Sequence, residues 1–398
     1  MDQSIKDLQD IDQQNKHRGS SSLSSHQEDK LARHRKDNIK TLVYSQFKRP
    51  FIKSDFSDGL KELNLGYFNH PIQPGSLPPS LEKLNLGSEF QQDILPGTIP
   101  STCKYLHFGD KFNKSIVVNS DLYNVETIIL GVSYNQPLQA HSIANCKKLV
   151  LTSFKYTIQC GALPEGLLEL TLKWHQGVVE SGALPKSLLY LKLPSFLLAT
   201  CPNTIPDTLL HIDVTGPYSQ FPLTEMVYLD FNSVFPISLI SLSIPEFEMD
   251  EHGQQVLDLE RLVNLEYLKC RSSILMNQTK LPNTLKCIHI VSIFPIQRPP
   301  ILKTMSSSSR DILVTMSFDL PSEHLHTTNI HLPIRTLLED NVTTIIIHFK
   351  VHGYMAVVSF QLRDFGSHYN FFFDFHRWQD DFFKRQKYDK YFFNKKYF

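Results

Sequence analysis

The sequence has no excess of either charge and no apolar run long enough to cross a bilayer. Lysine plus arginine number 40 and aspartate plus glutamate also number 40, so no global field directs the 398-residue chain to nucleic acid or to an anionic membrane. The N-terminus lacks the basic-then-apolar layout of a secretory signal, and no segment has the length of a transmembrane helix. We therefore expect a soluble, intracellular protein of the cytoplasm.

Cysteine is scarce and its spacing is uninformative. The six cysteines form no CxxC pair and no pattern typical of a disulfide framework or a zinc site: Cys103, Cys146, Cys160, Cys201, Cys270 and Cys287. We expect reduced thiols. Three of them, at 103, 146 and 270, occupy apolar positions of the repeat described below, where cysteine behaves as a small hydrophobe.

Catalytic and metal-binding motifs are also missing from the sequence. Asp364-Phe365-Gly366 matches a kinase triplet, but no glycine-rich loop, strand lysine or H-R-D loop precedes it. His324, His326 and His331 lie close together without a cysteine or an organised carboxylate beside them. The sequence therefore predicts no enzyme, no cofactor and no metal site.

What the chain does contain is an internal repeat. An aromatic residue followed by a polar amide recurs every 22 residues, at Phe68-Asn69, Phe90-Gln91, Phe112-Asn113 and Tyr134-Asn135. A string of the form Leu-x-x-Leu-x-Leu recurs in step, beginning at Leu60, Leu81, Cys103, Val125, Cys146, Leu167, Leu188 and Leu209. Looser copies begin at Met226, Leu239, Leu265 and Leu285, at irregular intervals of 17, 13, 26 and 20 residues. These positions predict about twelve units over residues 60–295, eight of them regular.

Each part of the unit has a physical reason. The last two leucines lie two residues apart, as in a β-strand, so they point to one face, and strands stacked in parallel about 4.8 Å apart join those faces into one core. Glycine ends the strand in the first four copies, where we expect turns with positive φ: Gly66, Gly87, Gly109 and Gly131. Seven copies place a proline three residues before the string, in the approach to the strand. We expect the aromatic residue to fill the core and the asparagine to bond backbone groups inside a turn.

The stretch from Phe68 to Gly87, FNHPIQPGSLPPSLEKLNLG, resembles the FNIP repeat, a leucine-rich-repeat-like family of social amoebae. The similarity is strong over residues 60–137 and recognisable to about 295, although later copies lose the Phe-Asn pair. The resemblance implies a β-rich solenoid of short parallel strands that binds other proteins and has no known catalytic residues.

Strand alternation predicts an exposed face on this solenoid. One outward column holds Glu62, Lys83, Tyr105, Thr127, Lys148, Glu169, Tyr190, His211, Tyr228, Ser241, Tyr267 and Cys287. The neighbouring column holds Asn64, Asn85, His107, Ile129, Val150, Thr171, Lys192, Asp213, Asp230, Ser243, Lys269 and His289. Aromatic residues on an exposed strip favour partner binding, and the candidate residues are Tyr105, His107, Tyr190, Lys192, His211, Tyr228, Tyr267 and His289. The alternative is that tyrosine simply suits β-strands.

The ends of the chain differ from the repeat array. Residues 1–40 are polar and charged, and we expect disorder or a loose helix there. Residues 41–59 carry the apolar residues of an N-terminal cap, namely Leu42, Val43, Tyr44, Phe47, Phe51 and Phe56. Residues 296–370 contain the strand-like runs TTIIIHFKV and AVVSFQLRDF, which predict a C-terminal β cap.

Residues 371–398 form an aromatic and basic tail. Its residues Phe371, Phe375, Trp378 and Phe382 fall on one face of a helix, which we expect to dock on the open end of the solenoid. The alternatives are weak binding to a membrane surface or to RNA, and a disordered tail.

Two functions therefore stay open. The first is a non-enzymatic scaffold that binds an unidentified protein partner through the exposed strand face. The second is an adaptor in which residues 300–398 carry membrane-surface or RNA binding, or an unrecognised activity.

Overall fold

A computed structural model shows short β-strands joined by irregular return segments. It describes residues 40–43, 49–117, 121–195, 197–198, 204–215, 234–244, 257–271, 274–275, 280–293, 313–319, 344–351, 354–365 and 368–374. The described residues form two compact units, divided after Leu209.

The first unit is a stack of parallel strands. They are β1 Thr41–Val43, β2 Glu62–Asn64, β3 Lys83–Asn85, β4 Tyr105–His107, β5 Thr127–Leu130, β6 Lys148–Leu151, β7 Glu169–Leu172 and β8 Tyr190–Pro194. Each strand pairs in parallel with the next, and the register joins equivalent positions of consecutive copies, as in Glu62 to Lys83 to Tyr105. We call one strand with its return segment a coil. The predicted fold class, a β-rich solenoid of short parallel strands, is confirmed.

The inward positions of the strings form the core. Leu63, Leu84 and Leu106 are buried on successive strands, and so are Leu65 and Leu86 at the next inward position. Each strand thus buries alternate side chains against its neighbours, because strand residues point alternately to opposite faces. The return segments include two short 3-10 helices, Lys53–Asp55 and Asp121–Asn124.

A column of stacked rings runs through the return segments. It consists of Phe51, Phe68, Phe90, Phe112, Tyr134, Phe154 and His175, with successive ring centroids between 4.8 and 6.3 Å apart. Phe154 and His175 continue the series beyond the four aromatic-amide pairs seen in the sequence. One aromatic ring per coil therefore fills the core behind the strands, as expected.

The first ring is held by a charged pair. Phe51 packs edge-on against Phe56, and the 3-10 helix Lys53–Asp55 lies between them in sequence. The buried carboxylate of Asp55 accepts two hydrogen bonds of 2.9 Å from the Arg49 guanidinium and one of 2.8 Å from the backbone N–H of Ile52. These contacts fix the chain where it enters the ring column.

The asparagines after the rings bond a different partner from the one expected. The Oδ1 atom of Asn69 accepts a hydrogen bond of 2.9 Å from the backbone N–H of Gln91, and that of Asn113 accepts one of 2.8 Å from Asn135. Each bond joins two coils, whereas the sequence predicted a bond inside one turn. The reason is the stacking, which brings the backbone of the next coil within reach of the amide.

The strand-ending glycines serve two purposes. Gly66, Gly87 and Gly109 have positive φ, as predicted, but Gly131 does not. A Cβ atom at Gly131 would nonetheless lie 2.1 Å from the carbonyl oxygen of Gly109. Glycine is required there by the close approach of two backbones rather than by the turn.

The second unit contains the remaining described strands. They are β9 His211–Thr215, β10 Ser241–Ile244, β11 Tyr267–Arg271, β12 Cys287–Ile293, β13 Leu313–Asp319, β14 Thr344–Val351, β15 Tyr354–Phe365 and β16 His368–Asp374. Strands β9 to β14 pair in parallel, and β14, β15 and β16 pair antiparallel. A short 3-10 helix, Leu259–Arg261, precedes β11.

Strands β9 and β10 are neighbours in the sheet, and His211 of β9 pairs directly with Ser241 of β10. The copy predicted to begin at Met226 lies outside the described residues. Its intervals of 17 and 13 residues are both shorter than the 21 or 22 residues of a regular coil. Tyr228 and Asp230, assigned to the outward columns from the sequence, lie outside the described residues.

The predicted helix of the tail is wrong at its first residue. Phe371 lies in β16 and pairs with Leu362 of the antiparallel strand β15. The segment HYNFFFD is rich in aromatic residues, which favour strands, and β15 offers it an edge. Residues 375–398 lie outside the described part of the chain. Strand β13, whose sequence is LVTMSFD, was not predicted.

Candidate functional site

The exposed face of the first unit is formed by the outward residues of β2 to β8. The parallel register sets the outward residues of consecutive copies side by side, so that Tyr105 lies between Lys83 and Thr127, and His107 between Asn85 and Ile129. These side chains are half-buried or exposed, while their chain neighbours Leu84 and Leu106 are buried. The face is therefore open to a partner along its length.

The tyrosines singled out from the sequence do not form a cluster. Tyr105 lies on β4 and Tyr190 on β8, so three strands separate them, which corresponds to about 19 Å. Lys192 is the next outward residue after Tyr190 on β8. Each of the three side chains is half-buried.

The second unit carries its own outward residues. His211 lies on β9, Tyr267 on β11 and His289 on β12. Tyr267 pairs with Ser241 on one side and Cys287 on the other, and its side chain is 48% exposed. His289 pairs with Lys269.

An uncharged area lies in the middle of the first unit's face. We call it the central patch, and it consists of Tyr105, His107, Thr127, Ile129, Val150 and Thr171 on strands β4 to β7. Burial lowers the pKa of His107, with Asp110 opposing the shift, so the imidazole is neutral at pH 7. The patch thus combines aromatic, aliphatic and neutral polar groups.

Paired charges lie on both sides of the central patch. On one side Lys83 Nζ lies 2.6 Å from Glu62 Oε1, and on the other Lys148 Nζ lies 2.5 Å from Glu169 Oε2. The hydrogen bond that Lys83 donates to Glu62 is the main cause that raises the pKa of Lys83. Each pair joins neighbouring strands, so the face around the patch is close to neutral.

A third column of half-buried and exposed residues was not predicted; we call it the entry column because it precedes each strand. It holds Lys61, Glu82, Lys104, Glu126, Lys147, Leu168 and Leu189. Lys61 pairs with Glu82 at 2.6 Å, and the hydrogen bond from Lys61 lowers the pKa of Glu82. The sequence indicated this column by the regular alternation of lysine and glutamate at the same position of five consecutive copies.

A groove of about 380 Å³ opens beside the entry column. Its lining includes Lys104, Tyr123, Glu126, Asn145, Lys147 and Gly166. The carboxylate of Glu126 lies 3.0 Å from Lys147 Nζ and 3.6 Å from Lys104 Nζ, and the hydrogen bond from Lys147 is the largest cause that lowers its pKa. The groove was not predicted from the sequence.

The inward cysteines Cys103 and Cys146 have no reactive setting. Burial raises the pKa of Cys103 to about 11 and that of Cys146 to about 12, so both are protonated thiols at pH 7. Within the described ranges, no three His, Cys, Asp or Glu side chains converge to hold a metal ion. His324, His326 and His331 lie outside those ranges.

The described part of the chain contains no helix that is long and apolar enough to cross a membrane.

Comparison with known proteins supports the repeat assignment. The FNIP repeat model matches residues 47–89 and 90–120. No curated protein matches the chain. One solved structure to which the chain is similar is the crystal structure of CroV588, described as a novel circular LRR protein, with 21% sequence identity and a TM-score of 0.42. The similarity covers 70% of this chain and 46% of that one, so this chain spans about half of its length. Residues 47–120, which lie in the stack of parallel coils, therefore consist of FNIP repeats.

Proposed function

We propose that the chain is a non-enzymatic scaffold that binds a partner protein through the exposed strand face of its first unit. The central patch carries the proposal. Its aromatic ring at Tyr105 and its aliphatic side chains at Ile129 and Val150 point away from a core that is already filled by leucines. An apolar centre with a polar margin is the usual arrangement of a protein interface.

The ion pairs around the central patch are expected to add little binding energy. Because Lys83 and Lys148 already have glutamate partners at 2.6 and 2.5 Å, they do not present unpaired charge to a partner. Exposed pairs of this kind contribute little, because water and salt screen them. The binding energy is therefore expected from the uncharged residues between them.

The remaining candidate residues extend the proposal. Tyr190 and Lys192 continue the same face on β8, and His211, Tyr267 and His289 occupy outward positions of the second unit. We propose that Tyr190 and Lys192 add contacts to the partner, while the outward residues of the second unit and Tyr228 stay predictions.

A capture experiment tests this function. The purified full chain is compared with a patch variant carrying Tyr105→Ser, Ile129→Ser and Val150→Ser, and bound proteins from an extract of the source cells are quantified by mass spectrometry. The matched control carries Tyr67→Ser, Leu95→Ser and Val117→Ser, which remove the same kinds of side chain from exposed positions outside the strands. Circular dichroism and thermal melting establish that all three proteins are folded.

We expect at least one protein to be captured by the parent and by the control and to be reduced about tenfold or more with the patch variant, which corresponds to about 1.4 kcal/mol. A captured set that is the same for all three proteins would overturn the proposal.

A further inference from the structure

The groove beside the entry column exists because one coil lacks a side chain that its neighbours have. Just before the strand, Thr102, Asn145 and Ser187 each donate a side-chain hydrogen bond to the preceding coil, to the carbonyls of Leu81, Tyr123 and Leu167 at 2.8, 2.9 and 2.7 Å. Gly166 occupies the same position in its coil. A Cβ atom added to Gly166 would meet no atom within 4 Å, so the space above it is open.

The walls of the groove offer an aromatic surface and an excess of positive charge. Tyr123 forms one wall and is 65% exposed. Lys104 and Lys147 share the carboxylate of Glu126, so the lining has two positive charges and one negative. Elsewhere in the entry column Lys61 has its own partner in Glu82. Glu165 precedes Gly166 but does not line the groove.

The groove adjoins the proposed binding surface. Lys104 is followed by Tyr105 and Glu126 by Thr127, both of the central patch. Because one residue of an extended chain spans about 3.3 Å, a segment lying across the patch reaches the groove within two or three residues. A carboxylate of the partner in the groove would give Lys104 and Lys147 one negatively charged group each.

We propose that the groove receives an aspartate or glutamate side chain of the partner protein, a few residues from the apolar side chain that covers the central patch. This inference rests on the proposed function, because the same bound segment occupies both places. The partner segment is therefore acidic and apolar, whereas a basic segment would place its charge against Lys104 and Lys147.

Selection from a phage-displayed library of random dodecapeptides tests the inference on the immobilised full chain. We expect the enriched peptides to combine Asp or Glu with an aliphatic or aromatic residue. A groove variant with Lys104→Gln and Lys147→Gln should select apolar peptides without the acidic preference. The charge-matched control, Lys111→Gln with Lys114→Gln, should select the same peptides as the parent, because both lysines lie away from the groove.

A second variant fills the groove instead of changing its charge. The φ of Gly166 is not positive and its Cβ direction is open, so Gly166→Leu fits the fold and occupies the groove. The affinity of a selected synthetic peptide should fall about tenfold with Gly166→Leu, as for loss of one good contact, and stay unchanged with Glu165→Leu.

The outcomes separate the two proposals. Enriched peptides without an acidic preference, or the same acidic peptides on the parent and on both groove variants, would overturn the inference and leave the proposed function standing. Selection of the same peptides by the variant with Tyr105→Ser, Ile129→Ser and Val150→Ser would contradict the proposed function itself. No enrichment on the parent would count against both.

Discussion

Gly87 packs directly on Gly66, so that a Cβ atom on Gly87 would lie 2.0 Å from the carbonyl oxygen of Gly66. The contact is between two backbones, which cannot move apart without separating the strands that precede them. Gly87→Ala should therefore lower the free energy of unfolding by at least about 3 kcal/mol, the sum of a strained φ and a forced backbone shift. Denaturant unfolding followed by circular dichroism measures the loss.

The control for Gly87→Ala is Gly75→Ala. Gly75 also has a positive φ, +72°, but an added Cβ would meet no atom within 4 Å. Only the cost of the left-handed backbone applies there, about 1 to 2 kcal/mol. An equal loss for both variants would show that the close approach to Gly66 has no energetic effect.

Asn69 offers a test of the bonds between coils. Its Oδ1 atom accepts from the backbone N–H of Gln91 at 2.9 Å and from Gln92 Nε2 at 2.9 Å. Asn69→Ala removes this acceptor and should lower the free energy of unfolding by about 1 kcal/mol. Asn69→Asp keeps an acceptor oxygen and should lower it by less than about 0.5 kcal/mol. If Asp proves as costly as Ala, the acceptor oxygen is not what stabilises this position.

Replacement of Tyr134 by phenylalanine is expected to stabilise the protein. Its ring stacks between Phe112 and Phe154, but its buried hydroxyl has no hydrogen-bond partner within the described part of the chain. Tyr134→Phe keeps the ring and removes the unpaired hydroxyl, so the free energy of unfolding should rise by about 1 kcal/mol, which thermal melting detects as a higher melting temperature. Tyr67→Phe, at an exposed position, should change the free energy of unfolding by less than about 0.5 kcal/mol. A destabilised Tyr134→Phe protein would show that the hydroxyl makes a favourable contact.

His175 is expected to make the free energy of unfolding depend on pH. Burial at the end of the ring column lowers its pKa from 6.5 to about 4. The unfolded chain therefore binds the proton more tightly than the folded chain. The contribution of this residue is constant above about pH 6.5 and is lost progressively as pH falls toward 4, by up to about 3 kcal/mol.

His175→Phe checks this dependence, because phenylalanine continues the ring column without a titrating group. The free energies of unfolding of the parent and of His175→Phe should diverge in favour of the variant as the pH is lowered from 7 to 4. Parallel curves would contradict the assignment to His175.

The strand register could be predicted from the sequence because its physical basis is local. Glu62, Lys83 and Tyr105 occupy the same position of three consecutive strings, and they pair in the structure. A slip by one residue would turn every inward leucine to solvent, so the leucine pattern alone defines the alignment.

Other features depend on neighbours that the pattern does not identify. Phe154 belongs to the ring column although Lys155 stands where the amide would be, and His175 belongs to it although its ring is an imidazole; only their distance from the strand indicates it. The groove depends on the absence of a side chain at Gly166 between two coils that have one. Phe371 matched a helical period but pairs with Leu362 of a neighbouring strand.

The direction of the side-chain bonds between coils bears on how the protein is made. Thr102, Asn145 and Ser187 each donate to a carbonyl of the coil before them, which leaves the ribosome earlier. These three coils therefore meet acceptors that are already in place, on a stack whose first described strand is β1. Synthesis and folding can advance together from the N-terminus, one coil at a time, with each completed coil acting as the template for the next.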